Sequence, residues 1–309
     1  MTSPFGTLHV LADALAGDGA VRAKLPDLER ALAARDLDYR LTVSTTPAQL
    51  REGAARALGE GARYVVAVGS DASVHHVING MFADGEPLIE DPVIGVLGAG
   101  ARCDIMRTMG IPDDFEMAVD RLAGDSTYPF DVMKITYTDE VGGRGTLYGH
   151  NLVEAGLGGR AAKAAARFPR WLGNAGQFLG FWSAWLRSRP SLVKVDADRK
   201  AFEGRAFNVV VANAQYTGGG VRLSPRSFPG DGVLDALIFK GPRSDAYTML
   251  PRIYQHGGHI PDPNIQEFRA KIRVAVDAPT PWPVVVDQIV IGTTPVTIQI
   301  VPQRILMKL

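Results

Sequence analysis

The sequence predicts an α/β unit followed by a β-rich unit. Three observations carry that expectation. Strand-like and helix-like periods alternate up to Gly124, strand-like runs dominate from about Tyr128, and 309 residues exceed the roughly 100–200 usual for one domain. The boundary falls between residues 126 and 127, giving units over 1–126 and 127–309, with the last residues free to pack back on the first unit.

In the first unit, Thr7 to Ala12 reads as a strand, followed by a turn at Gly17 and Gly19 and a helix with Leu25, Leu28 and Leu32 on one face. Tyr39 to Val43 is a second strand, and Thr46-Pro47 starts a second helix with a capping hydroxyl followed by proline. RYVVAV (Arg63 to Val68) and PVIGVL (Pro92 to Leu97) are buried, β-branched strands; Ser73 to Met81 is a short helix, and Gly98 and Gly100 lead into another near Asp104. Alternation of this kind implies a mostly parallel sheet with helices on both faces. In the second unit the runs PFDVMKITYT, TLYGHNLVEA, SLVKVDAD, AFNVVVAN, VLDALIF, FRAKIRVAVDA, PVVVDQIVI and VTIQIV imply a β-sandwich-like domain, interrupted by one helical insertion from Arg160 to Leu186.

Composition narrows the function classes. Lys plus Arg equals Asp plus Glu, 33 each, so overall charge offers no reason to expect nucleic acid as a partner. Cys103 is the single cysteine, which excludes an intrachain disulfide and favours a reducing compartment. The opening MTSPFGTLHVLADALAG lacks a basic leader with an apolar block, and no stretch approaches the roughly 18 apolar residues of a spanning helix. A cytoplasmic protein is expected, one that meets a membrane only at its surface.

Two loops follow buried strands: Gly69-Ser70-Asp71-Ala72-Ser73 and Gly98-Ala99-Gly100-Ala101-Arg102. In an open α/β sheet ligands bind at the carboxyl ends of strands, where small residues let backbone N–H groups approach an anion and a helix N-terminus favours negative charge. Each loop carries or precedes a carboxylate, Asp71 and Asp104, suited to a metal ion or a proton. Tight βα turns with aspartate caps would use the same residues. Neither loop has the Gly-x-x-x-x-Gly-Lys-Ser/Thr or the Gly-x-Gly-x-x-Gly pattern.

These segments resemble the catalytic domain of diacylglycerol kinases and sphingosine kinases. VVAVGSDASVHHVINGM is similar to that family's Gly-Gly-Asp-Gly-Thr block, and GAGARCDIMRTMGIP to its Gly-Thr-x-Asn-Asp-Phe block. ANAQYTGGGVRLSPRSFPGDGVLDALIF resembles the block ending Asp-Gly-x-Leu-Asp, VVVDQIVIGTTPVTIQIVP stands where Asp-Gly-Glu is expected, and LADALAGDG occupies the place of the opening Asn-Pro loop. The resemblance implies an NAD kinase/diacylglycerol kinase-like fold with ATP on the first domain and an acceptor alcohol between the domains. It further implies ATP- and magnesium-dependent phosphorylation of a diacylglycerol-like or sphingoid hydroxyl. Asp71 and Asp287 are the implied catalytic residues, and Asp104, Asp231 and Asp235 the implied metal ligands. Gly17, Arg22, Thr46, Gly69, Ser70, Ala72, Ser73, Gly98, Gly100, Ala101 and Arg102 would meet the nucleotide; Asn151, Gly218 and Gly219 would meet the acceptor.

The sequence departs from the pattern at Ser70 and Ala72 for loop glycines, His76 for a helix Glu, Cys103 for an Asn, Asp13-Ala14 for Asn-Pro, and Asp287-Gln288-Ile289 for Asp-Gly-Glu. A family member that binds nucleotide or lipid without turnover is therefore the alternative expectation, and a kinase for a soluble alcohol a third. Between Arg160 and Arg189, Phe168, Trp171, Phe178, Phe181, Trp182 and Trp185 lie among Arg160, Lys163, Arg167, Arg170, Arg187 and Arg189 with no acid. Such a segment suits an anionic membrane surface, or packing on the β domain or on a second subunit as a homodimer. His75-His76, His256 and His259 read as surface or turn histidines, and Cys103, approaching a helix, as a thiol open to a lowered pKa without a nucleophile's partner.

Overall fold

The computed structural model describes residues 3–169, 173–242, 244–245, 251–253 and 257–309; Arg170, Trp171 and His256 lie outside the described residues. Two compact units emerge: Met1–Val132 with Val301–Leu309, and Met133–Ile300.

The first unit follows strand–helix alternation: β1 (Leu8–Asp13), α1 (Ala20–Ala34), β2 (Tyr39–Ser44), α2 (Pro47–Gly59), β3 (Tyr64–Val68), α3 (Asp71–Gly80), a small hairpin of β4 (Phe82–Ala83) and β5 (Glu86–Pro87), β6 (Val93–Leu97), α4 (Asp104–Met109) and α5 (Phe115–Ala123). β2, β1, β3 and β6 pair in that order and all in parallel. β3 and β6 are buried along their whole length, as the unbroken apolar runs require. Thr46 caps α2 by accepting from the Gln49 N–H, with Pro47 in the first turn. Gly80 sits where a Cβ would lie 2.1 Å from the Arg51 carbonyl oxygen, so only glycine lets α3 approach α2 this closely. α5 was not foreseen from the sequence; Asp114 caps it by accepting from the Met117 N–H.

The second unit contains the strands β7 (Thr127–Thr138, which begins in the first unit), β8 (Arg144–Gly149), β9 (Leu152–Gly156), β10 (Ser191–Ala197), β11 (Lys200–Ala206), β12 (Asn208–Ala212), β13 (Tyr216–Thr217), β14 (Val221–Arg222), β15 (Leu234–Phe239), β16 (Ile265–Ala270), β17 (Arg273–Asp277), β18 (Pro283–Val286) and β19 (Ile289–Lys308). One antiparallel layer runs β16-β15-β12-β9-β18. β19 pairs first with β18 and then with β17, which continues antiparallel to β10 and β11. Alternate residues from these strands, such as Val193, Val195, Val209, Val211, Ala236, Ile238, Val274 and Val276, share one core with Trp282. The last residues of β19 belong to the first unit, where Leu306 pairs in parallel with Val93 and the Gln303 N–H donates to Asp131 Oδ1 at 2.8 Å.

The helical insertion is two helices, α6 (Leu157–Ala165) and α7 (Gly173–Arg187), where one stretch was expected. Pro169 in the intervening segment cannot donate the hydrogen bond that a continuous helix needs there. Trp185 is buried against Phe207 with ring centroids 5.0 Å apart, and the Arg160 guanidinium lies over Trp282. Trp185 and Phe207 are core, and Arg160 is half-buried.

On β9, Glu154 accepts from Asn208 Nδ2 at 3.0 Å, and Asn208 Oδ1 accepts from the Gly158 N–H. Burial raises the Glu154 carboxyl above its ordinary value, and the Asn208 bond offsets part of that rise. With the folded pKa above the unfolded one, its contribution is fully present below about pH 4.3 and is lost as pH climbs through the raised value. Glu154→Gln should flatten this slope in urea titrations run across pH; an unchanged slope would assign the dependence to another group.

Candidate functional site

Strand order reverses at β1: the chain moves outward to β2, then returns to place β3 on the other side. The turns leaving β1 and β3 therefore flank a switch point, the usual place for a ligand in such sheets. The turn after β6 joins them.

These turns are shaped by left-handed backbone. Gly17, Asp18 and Gly19 have φ of 62°, 55° and 90°, and Ala99 and Gly100 have φ of 47° and 88°. The two turns pack directly on each other: a Cβ on Gly17 would lie 3.0 Å from Ala101 Cα, and one on Gly100 would lie 3.1 Å from Ala20 Cβ. A cavity of about 210 Å³ lies beside them, lined by Leu97 to Cys103 and by Met106, Arg107, Asp113, Phe115 and Ala118. Arg102 is exposed at its wall. Gly17→Ala would force alanine into the left-handed region, a cost of about 1–2 kcal/mol, against a backbone that cannot retreat. A roughly tenfold loss of nucleotide affinity is expected by equilibrium dialysis; unchanged affinity would place the nucleotide elsewhere.

The turn after β3 is tied to the turn after β1. Ser73 Oγ donates to Asp13 Oδ2 at 2.7 Å and accepts from the Ser70 N–H at 3.1 Å, while Asp13 Oδ1 accepts from the Leu15 N–H. Ser70 and Ser73 form a capping box on α3. Asp13 thus secures two turns to each other. A Cβ on Gly69 would lie 2.3 Å from Ser73 Oγ, which explains the one loop glycine that is retained.

Asp71 and Asp104 do come together, with backbone as the link. Asp71 is fully buried; its Oδ2 accepts from the Asp104 N–H at 2.9 Å and its Oδ1 from the Ile105 N–H at 3.1 Å. Asp71 therefore caps α4 from the neighbouring loop and fixes the turn after β6 relative to α3. The Cys103 thiol lies 3.9 Å from Asp71 Oδ1. Its pKa is raised well above normal, by burial first and then by the Asp71 charge, so the lowered pKa expected for this thiol is corrected. Asp104 Oδ1 is 3.9 Å from Arg107 Nε. Of the remaining nucleotide candidates, Arg22 is an exposed residue on α1, Thr46 is spent on its helix cap, and Ala72 lies in the first turn of α3.

In the second unit Asp287 and Gln288 form the tight turn joining β18 to β19, with φ of 47° and 70°. The buried Asp287 carboxylate accepts the N–H groups of His150 at 3.1 Å, Asn151 at 2.9 Å and Leu152 at 3.3 Å, and His150 Nδ1 lies 3.0 Å from it. Asn213 Nδ2 donates to the His150 carbonyl. The candidate base is thus a clamp on the start of β9, and Asn151 belongs to the clamp through its backbone. Gly218 and Gly219 sit in the left-handed turn that joins β13 to β14.

Asp231 and Asp235 face Arg269 and not an open cation site: Arg269 Nη2 is 3.0 Å from Asp231 Oδ2, and its Nε is 3.1 Å from Asp235 Oδ1. Among the described residues no three acidic, His or Cys side chains are arranged to hold a metal ion. Asp231 and Asp235, both engaged by Arg269, do not fit the resident magnesium expected of them. His75 is buried on α3, and His259 is buried with Nε2 3.0 Å from the Leu223 carbonyl oxygen; burial lowers its pKa. The burial of His75 overturns a surface or turn reading, whereas His259, though buried, lies in a turn as the turn alternative expects.

Several site residues were missed in the sequence. Met106, Arg107, Asp113 and Phe115 line the cavity, though only the apolar period of α5 could have hinted at Phe115. His150 carried no signal, because its partner Asp287 is far away in sequence, and the Asn213 of the third block gave no hint of its bond to the His150 carbonyl.

Three strand-exit turns thus gather at the end of a parallel α/β unit that one chain joins to an antiparallel β domain. The comparisons agree with this architecture. Residues 7–135 match the diacylglycerol kinase catalytic domain, and residues 151–308 match the YegS C-terminal NAD kinase beta sandwich-like domain. The chain belongs to the diacylglycerol kinase-like lipid kinase family. A Bacillus subtilis (strain 168) protein named diacylglycerol kinase is 26% identical over 219 residues, covering 68% of this chain and 67% of the relative. A Cronobacter sakazakii protein named "Probable lipid kinase YegS-like" is 22% identical over 199 residues, 64% of this chain and 62% of the relative. A crystal structure of a diacylglycerol kinase from Bacillus anthracis str. Sterne is similar in fold, with a TM-score of 0.71, 18% identity, and coverage of 99% of this chain and 97% of that one. Among the described residues no helix is long and apolar enough to cross a membrane.

Proposed function

We propose that the chain transfers the terminal phosphoryl group of ATP to a hydroxyl of a lipid alcohol, diacylglycerol-like or sphingoid. The observation that supports this most is the pair of left-handed turns, Gly17–Gly19 and Ala99–Gly100, packed on each other beside the cavity at the end of β6. Backbone at such turns can approach phosphate oxygens closely. Arg102 and Arg107 at the cavity, and Arg22 on α1, would supply positive charge toward the triphosphate. ATP enters as its magnesium complex, a substrate. In the reaction the bond from the terminal phosphorus to the bridging oxygen of ADP breaks, a bond to the acceptor oxygen forms, and the hydroxyl proton is released. Such transfer depends mainly on placement and charge stabilisation. Asp71 contributes by holding the turns in register.

Labelled ATP offered with diacylglycerol, a sphingoid base and soluble alcohols in mixed micelles tests the proposal. Label should move to a lipid phosphate. Label found only on soluble alcohols or in inorganic phosphate would overturn the acceptor class. A binding protein without turnover is the second reading, supported by the complete enclosure of Asp71 and Asp287. A thermal shift with ATP, with no labelled product on any acceptor, would favour it.

The acceptor's setting is part of the proposal. Phe178 (61% exposed), Leu179 and Leu186 (66%) project from α7, and residues 160–189 carry no acid. This face suits an anionic membrane surface, with arginine at headgroup level and apolar side chains below. Sedimentation with anionic vesicles should drop several-fold in Phe178→Ser/Leu186→Ser; failure to pellet on any vesicle would remove the membrane surface.

A further inference from the structure

The two acids expected to share a metal ion, Asp231 and Asp235, are served by a side chain of the protein itself. Asp235 on β15 and Arg269 on β16 are directly opposed in the antiparallel register, so the sheet fixes their approach. From there one guanidinium reaches both carboxylates, through Nε to Asp235 Oδ1 and through Nη2 to Asp231 Oδ2. The remaining oxygens are also taken. Asp231 Oδ1 accepts from the Val233 N–H at 3.0 Å, and Asp235 Oδ2 accepts from Ser227 Oγ at 2.8 Å, which lies 2.7 Å from Ser224 Oγ.

The loop that carries Asp231 needs a counter-charge. Asp235 is 7% exposed, and burial raises its carboxyl above the ordinary value; the nearby Asp231 adds to the rise, while Ser227 and Arg269 oppose it. A divalent cation between the two carboxylates would have to displace the guanidinium, which already offers two N–H donors along the directions of two acceptor oxygens. Arg269 keeps 58% of its side chain exposed, so the charge is held at the rim, where desolvation costs it little.

We propose that the Arg269 guanidinium takes the place of a structural cation at Asp231 and Asp235, so that the loop from Ser224 to Leu234 closes without a divalent metal. This inference concerns the β unit alone and stands or falls independently of the kinase reading.

Hydrogen exchange on the full chain, read at residues 224–237, tests it. In the wild type, exchange in this segment should be the same in excess EDTA as in millimolar magnesium or calcium. In Arg269→Gln, exchange there should quicken about tenfold or more under both conditions, with Arg269→Lys recovering part of the protection because it restores charge but not the two-donor fork. Slower exchange in the wild type on adding magnesium or calcium, abolished in Asp235→Asn, would overturn the proposal by showing an ion at the acids. Unchanged exchange in Arg269→Gln would overturn it as well. Because exchange is read segment by segment, a variant with a weakened fold elsewhere still reports on this loop.

Discussion

Asp71→Asn should abolish measurable phosphate transfer and lower the stability of the first unit. The Asp71 carboxylate accepts two backbone N–H groups of α4 while fully buried. An asparagine keeps one acceptor but turns an NH2 donor toward one of those N–H groups, leaving two donors facing each other in a buried site. Hydrogen bonds to a charged group are worth about 1.5–3 kcal/mol each, and one is lost outright. The turn Gly98–Arg102 would shift, and with it the cavity wall. Chemical denaturation and labelled-ATP transfer measured side by side separate two roles. Lost stability together with lost transfer fits a positioning residue. Lost transfer at full stability would make Asp71 a group that acts on the substrate directly, and unchanged values of both would contradict its place in the site.

Asp287→Ala should have the larger effect on folding. Three backbone N–H groups at residues 150–152 and the His150 ring converge on this carboxylate, and His150 and Asn151 are themselves buried. Removing it leaves those donors unsatisfied where water does not reach, a loss of about 3–5 kcal/mol when one partner of a buried charged network is deleted. The variant should express poorly or unfold at markedly lower urea, and Asp287→Asn should recover part of the loss by keeping one acceptor. A stable Asp287→Ala with lost transfer would restore the residue as a candidate base.

The parts of the fold legible in the sequence are those set by local pattern. The uninterrupted apolar runs of β3 and β6 and the Thr46-Pro47 cap declare themselves within a few residues. The positions of Gly69, Gly98 and Gly100 in strand-exit turns were legible for the same reason. What the acids do was not legible. A carboxylate that accepts backbone N–H groups and one that awaits a metal are the same residue type in the same motif, and only the surrounding donors distinguish them. Asp71 meets its partners 33 and 34 residues away, Asp287 at 135 to 137, and Asp235 at 34 across a strand pair. Local pattern contains none of these distances. Two of the departures meet tertiary partners: Asp13, standing where the family pattern has Asn, accepts from Ser73, and the buried Cys103 thiol lies 3.9 Å from Asp71 Oδ1. Arg269, which redefines the expected metal acids, lies outside every motif that drew attention to them.

The central claim is that the turns after β1 and β6 form one phosphate-binding surface. Backbone hydrogen exchange with and without magnesium–ATP tests it most directly. Protection is expected to rise together at residues 15–19 and 98–102, and the rise should be lost in Gly17→Ala. Saturating ATP that leaves both turns unprotected, while protecting another part of the chain, would contradict the account.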